Sequence, residues 1–156
     1  MIQCPGGRKP QSARLNGPTR HRFHLNYVFC GSWLPISATL TSLDLGFNDL
    51  DEEAALSIVR VERQRNKLTT LGLARCNIGP TGAKEIAEWV SVSATLTELR
   101  LESNSIGDEA VKAIGDALRV NGALTSLDVR RNQLDEAGEG LLRDAVNSKD
   151  GFELQM

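Results

Sequence analysis

Leu40, Leu68, Leu96 and Leu124 stand 28 residues apart and open four in-register units, and Phe152 stands where a fifth would begin. A fixed period of this length marks stacked supersecondary units that cannot bury their own apolar faces alone. It argues against a single compact core for the 156-residue chain. Aligned on the period, the openings read LTSLDLGFNDL (40–50), LTTLGLARCNI (68–78), LTELRLESNSI (96–106) and LTSLDVRRNQL (124–134). Apolar residues recur at the first, fourth, sixth and eleventh places. The alternation of the fourth and sixth, as in Leu43 and Leu45, predicts a short strand with one buried face.

The ninth place holds Asn48, Cys76, Asn104 and Asn132. A buried amide there can bond the neighbouring coil's backbone where the strand ladder stops. Cys76 fits the slot as a small side chain that buries easily, which is a structural role and not a reactive or metal-binding one. After each strand the period becomes helical. In the third unit Ala110, Val111, Ile114 and Leu118 fall on one helix face. In the second, Pro80 suits the helix start. Small residues at the fifteenth place (Ala54, Gly82, Ala110, Gly138) predict close approach of helix to strand layer.

On these motifs the chain resembles the leucine-rich repeat family, and its 28-residue units with a full helix resemble the ribonuclease-inhibitor-like subclass. That repeat type also occurs in NOD-like receptors and Ran GTPase-activating proteins. The resemblance covers residues 40–151. It implies an α/β leucine-rich repeat solenoid, a horseshoe arc with parallel β-strands on the concave face and helices on the convex face. It implies a binding geometry without naming a ligand.

The ends depart from the pattern. Residues 1–22, rich in Pro and Gly, are expected to be a flexible basic segment, and 23–39 a degenerate first repeat or N-terminal cap. WLPISATL (33–40) matches WVSVSATL (89–96), which favours a helix end and loop there, while the alternation of Phe23, Leu25, Tyr27 and Phe29 favours a strand. Both readings stay open. In the last unit Glu139 and Arg143 stand where Ala83 and Val111, and Ala87 and Gly115, are expected to be buried, a gain in polarity that reads as capping. Residues 152–156 form a tail whose Phe152 and Leu154 are expected to fold back over the open end. Glu62 stands where Val90, Leu118 and Val146 are apolar, and faces solvent if its helix ends early.

Charge divides sharply. Residues 1–39 carry Arg8, Lys9, Arg14, Arg20 and Arg22 with no acid, whereas all 20 acidic side chains and the other 13 basic ones lie in 40–156. The acidic body makes nucleic acid or an anionic membrane a poor partner. No apolar stretch reaches the roughly 20 residues of a membrane span. The start lacks the pattern of a secretory signal, although an Arg-rich, acid-free start permits a transit segment. Three cysteines, Cys4, Cys30 and Cys76, fit no disulfide framework and point to a reducing compartment, with the cytoplasm as the expected location.

Catalysis has little support. The two histidines, His21 and His24, lack the paired spacing of a zinc site with Cys4 and Cys30. There is no phosphate-binding glycine loop. Neither a metal nor a cofactor is expected. The candidate site is the strand surface between the buried leucines, where Phe47 beside Arg75 offers an aromatic and arginine anchor. Arg100, Glu102, Asp128, Arg130 and Arg131 add a mixed-sign patch suited to registering a partner. The bland alternative is a soluble surface with Arg100/Asp128 and Glu102/Arg130 paired across strands, and with the threonine column (Thr41, Thr69, Thr97, Thr125) serving strand propensity. The leading expectation is a non-catalytic protein-interaction module or scaffold. The alternatives are a regulatory partner of an enzyme, and a structural subunit of a larger assembly or homo-oligomer that uses the N-terminal end.

Overall fold

The computed structural model describes residues 40–48 and 50–156, so the expectations for 1–22 and 23–39 lie outside the described residues. Strands β1 (Ser42–Asp44), β2 (Thr70–Gly72), β3 (Glu98–Arg100), β4 (Ser126–Asp128) and β5 (Glu153–Gln155) alternate with helices α1 (Glu52–Arg65), α2 (Pro80–Val92), α3 (Asp108–Val120) and α4 (Glu136–Val146). The strands form one parallel sheet in sequence order. Leu43, Leu71, Leu99 and Leu127 align across it, so the sequence period is the step from strand to strand. A continuous core of these leucines and the inner helix faces runs the length of the stack. This is the α/β solenoid that the period predicts.

Each strand is only three residues long, and the alternation is broken three places after it ends. Phe47, Arg75, Ser103 and Arg131 all have left-handed backbones, with φ of 60, 56, 56 and 56°. Strict alternation would turn these residues inward and the next ones outward. The left-handed residue inverts that order, so Asn48, Cys76 and Asn104 are buried while Phe47, Arg75 and Arg131 are exposed. For side chains other than glycine the conformation costs about 1 kcal/mol each, offset by what the following residue bonds.

The Asn104 Oδ1 accepts the N–H groups of Cys76 and Ile78 (3.1 and 2.9 Å). Its Nδ2 donates to the carbonyls of Leu73 and Leu101 (2.9 and 3.0 Å), one in the preceding coil and one in its own. Asn132 repeats this toward Asn104, Ile106, Leu101 and Val129. Cys76 has no oxygen to offer the coil before it. Its Sγ contacts the Leu45 carbonyl at 3.5 Å, and the Leu50 N–H turns to the Asn48 carbonyl at 2.7 Å instead. Cys76→Asn should complete the ladder and stabilise the fold by about 1 kcal/mol, seen as a higher urea midpoint; an unchanged or lower midpoint would reject this account of the gap.

The helices are capped partly from outside themselves. Asp51 accepts from Ala54 N and Asp135 from Gly138 N, each at 2.8 Å. The N-cap of α2 is Gly79, which has no side chain to do this. Glu52, in the first turn of α1, reaches across and accepts the N–H groups of Gly79 and Gly82 at 3.1 and 2.9 Å. The small residue at Gly82 has the same cause, since a Cβ there would lie 2.6 Å from Glu52 Oε1. Glu52→Ala should cost about 1 kcal/mol, with faster amide exchange confined to the first turn of α2; exchange unchanged there would rule the cap out.

A second ladder lies at the other ends of the helices. The buried Asn121 donates to the carbonyls of Val90 and Ser93 (2.6 and 2.7 Å) and accepts from Ala123 N and Leu124 N (2.9 and 2.7 Å). Lys149 in turn donates to the Asn121 carbonyl. The sequence signal was faint, because the equivalent place in the unit before holds Ser93.

Between α1 and α2 the packing differs from the rest of the stack. The helix place facing the preceding unit holds Ala117 and Ala145 in α3 and α4, but Trp89, 1% exposed, in α2. Gly115 illustrates the close approach elsewhere: a Cβ there would stand 3.8 Å from that of Ala145. Glu62 corrects the expectation of a solvent-facing side chain. The helix α1 continues to Arg65, and Glu62 is fully buried, with Oε1 accepting from Arg65 Nη1 at 2.6 Å. Among the described residues Glu62 Oε2 and Trp89 Nε1 find no hydrogen-bond partner.

The C-terminal end also differs from expectation. Residues 153–155 do not fold back over the end but add β5 to the sheet, with Leu127 aligned to Leu154 and Asp128 to Gln155. The shorter α4 and the turn at Gly151 (φ 71°) account for the missing residue in the period. Arg143 is exposed on α4 and paired with Glu139 at 2.9 Å, so the helix at the end of the stack carries charge where its predecessors carry Ala87 and Gly115.

Candidate functional site: the strand face

The outward strand residues line a recess of about 440 Å³ that spans all five strands, from Asp44 and Phe47 to Glu153 and Gln155. Its two halves are built differently. Over β3 and β4 the side chains are long, charged and mutually engaged. Arg100 Nε donates to Glu98 Oε1 at 2.7 Å, within one strand. Arg130 chelates Asp128 through Nε and Nη2 (3.0 and 2.7 Å), and its backbone N–H bonds the same carboxylate at 3.1 Å. Arg131 Nη1 reaches Glu102 at 3.0 Å, with Arg130 4.0 Å from it. The cross-strand Arg100/Asp128 pair expected from the sequence is thus replaced by pairs two residues apart on one face, where the arginine side chain spans the pleat and meets its partner without crossing to the next strand.

Burial opposes ionisation of Asp128, but the Arg130 side-chain and backbone hydrogen bonds, with the charges of Arg130 and Arg100, outweigh it and lower its pKa. Arg130 is correspondingly held in its charged form by Asp128. Cys76, beneath this surface, is pushed up to about 12, first by burial and then by the Asp44 charge, which leaves a thiol and not a thiolate at neutral pH.

Over β1 and β2 the same places hold Asp44, Gly46, Gly72 and Ala74, and the Asp44 carboxylate lies against Gly72, where a Cβ would stand 2.6 Å from its Oδ1. Phe47 stands 53% exposed at the edge, and the Arg75 guanidinium lies over its ring, 5.0 Å from the centroid. The structure therefore brings Phe47 and Arg75 into contact, and gathers Arg100, Glu102, Asp128, Arg130 and Arg131 into a separate charged group. The threonine column has a bonding role that strand propensity does not describe. Thr69, Thr97 and Thr125 each donate Oγ1 to the threonine carbonyl one strand earlier, at 2.9, 3.0 and 3.2 Å.

Among the described residues no grouping of His, Cys, Asp or Glu could hold a metal ion, and no helix is long and apolar enough to cross a membrane. A family model described as Leucine Rich repeat matches residues 37–59, 65–87 and 92–115. With the strand–turn–helix units of the structure, these spans give the chain a solenoid fold of the leucine-rich repeat type. No curated protein matches the sequence. Among solved structures, Leiomodin-1 Actin-Binding Site 2 is similar in fold, with a TM-score of 0.68 and 20% identity, over 76% of this chain and 71% of that one.

Proposed function

We propose that this chain is a non-catalytic protein-interaction module or scaffold that engages a protein partner through its strand face, with Phe47, Arg75, Arg100, Glu102, Asp128, Arg130 and Arg131 as contact residues. The observation that carries this reading is Phe47. A large aromatic side chain more than half exposed, held at a left-handed backbone position and stacked by an arginine, gains by burial against another surface. The charged group over β3 and β4 supplies register, since its internal pairing leaves defined positions for a partner's polar groups. The similar solved structure is named for binding actin, which makes actin the first partner to test. The 28-residue step with a helix in every unit supports placement in the ribonuclease-inhibitor-like subclass, and within it regulation of an enzyme by the same face. The basic run at 1–22 supports a further role as an assembly subunit in the cytoplasm.

The test places a photo-crosslinking residue at Arg131 on the strand face, or at Lys112 on the exposed side of α3, in the full chain. Adducts with actin or another protein from Arg131 and none from Lys112 support the reading. Adducts from Lys112 alone, or capture lost only when residues 1–22 are deleted, would reject the strand face as the site.

A further inference from the structure

Over β3 and β4 every carboxylate of the recess meets an arginine. Asp44 and Glu153, at its two ends, form no ion pair among the described residues. Asp44 has a counterpart three units later. Asp44 and Asp128 hold the same place in the period, and each accepts the N–H group two residues on, from Gly46 at 2.9 Å and from Arg130 at 3.1 Å. In the fourth unit the Arg130 side chain then closes on both oxygens of the carboxylate, Nε on Oδ1 at 3.0 Å and Nη2 on Oδ2 at 2.7 Å. In the first unit the residue at the Arg130 place is Gly46, which has no side chain to do this, and Asp44 Oδ2 accepts no hydrogen bond among the described residues. The Asp44 side chain is nonetheless held in place, bonded through Oδ1 and lying against Gly72, and it stays exposed to solvent. The first unit thus presents a fixed aspartate without the guanidinium that its counterpart binds.

Resting on the strand-face reading above, we infer that Asp44 seats an arginine from a basic segment of the partner protein, whose guanidinium pairs with it as Arg130 pairs with Asp128. The sign of the surface selects a cation. Both unpaired groups of the recess are carboxylates, and residues 40–156 carry 20 acidic side chains against 13 basic ones. Arginine fits better than lysine, because its fork can meet both carboxylate oxygens, as Arg130 does, whereas an ammonium meets them as a point charge. Phe47, 53% exposed, lines the same end of the recess and gives the aliphatic stem of the arginine an apolar flank. Arg75 stacks on that ring without lining the recess and forms no ion pair with Asp44, so the aspartate charge stays uncompensated. Because Asp44 is exposed, the pair adds little affinity by itself. Its effect is on register: it fixes which residue of a basic segment lies over β1 and repels an acidic one.

The probe is a capped Gly-Arg-Gly-Arg-Gly-Arg-Gly peptide titrated at low salt into the isotope-labelled full chain. It is followed through the Gly46 amide, which donates to Asp44, and through the Asp44 carboxyl carbon. The expected result is saturable movement of both signals at peptide concentrations that leave the exposed Asp144 and Asp150 carboxyls unmoved. Asp44→Asn keeps an oxygen for the Gly46 bond and should weaken binding about threefold. A lysine version of the peptide should bind the parent chain more weakly than the arginine one, and the two should bind Asp44→Asn equally. Equal affinity of the parent and Asp44→Asn chains, no advantage of arginine over lysine, or movement of Asp144 and Asp150 in step with Gly46 would overturn the inference. Movement that appears only after residues 1–22 are deleted would overturn it by giving the seat to the chain's own basic segment. Movement on concentrating the chain without peptide would overturn it by giving the seat to a second copy. Crosslinks from Arg131 to a partner whose binding ignores Asp44→Asn would leave the strand-face reading standing and this inference rejected. Peptide binding at Asp44 with crosslinks from Lys112 alone would do the reverse.

Discussion

Asn104→Ala is expected to lower the free energy of unfolding by about 3–5 kcal/mol, measured by urea unfolding followed by circular dichroism. One amide serves two coils at once. Its loss leaves the N–H groups of Cys76 and Ile78 and the carbonyls of Leu73 and Leu101 without their partners, in a place where Cys76 and Ile78 are fully buried. Each buried group left unpaired costs about 1–3 kcal/mol, and relaxation recovers part of that. Asn132→Ala removes the same pattern one coil later, but Asn132 is only half-buried, so water can replace it and the loss should be smaller. Equal losses at the two positions would show that burial is not what gives the Asn104 bonds their weight.

Trp89→Ala should cost about 3–5 kcal/mol for a different reason. The indole fills the layer between α1 and α2 at a place where later units use alanine, and a packed core relaxes only partly around a lost side chain. A cavity therefore remains. In a stack whose units contact only their neighbours, the damage should be local first, with hydrogen exchange rising across α1 before α3 and α4. Trp89→Phe should cost much less, because it keeps most of the packing and removes an N–H that has no partner among the described residues. A uniform rise in exchange along the whole stack would show that the units do not act independently.

These two residues also mark how far the sequence could be read. Asn104 was legible because its role repeats: Asn48, Asn104 and Asn132 share one place in the period, and a side chain that recurs with the backbone geometry inherits its bonds. Trp89 and Glu62 were not legible because neither side chain repeats in the neighbouring units, where Ala117 and Ala145, and Val90, Leu118 and Val146, take their places. Periodicity assigns the average role of a place, and a single large or charged occupant is decided by the neighbour it meets. The same limit hid the cap that Glu52 gives to α2 across the boundary between units, and the fifth strand, where a one-residue deletion shifted Leu154 out of phase.

At the strand face the sequence named Phe47 and Arg75 together, since both fall on outward places of adjacent units. Of the two cross-strand pairs it named, Glu102 and Arg130 do approach, at 4.0 Å, whereas Arg100 and Asp128 each close onto a partner in their own unit. The left-handed turn that holds Phe47, Arg75, Ser103 and Arg131 outward had no signal in residue type, because phenylalanine and arginine are poor choices for it.

The sequence by itself determined the repeating unit, its buried leucines, the sheet order and the asparagine ladder, because all of these follow from a period that fixes neighbours 28 residues apart. Only the tertiary structure decided which charges find partners and which helix is capped by another. Those outcomes depend on side chains meeting across units, and distances between non-repeating side chains are set by packing and not by the period.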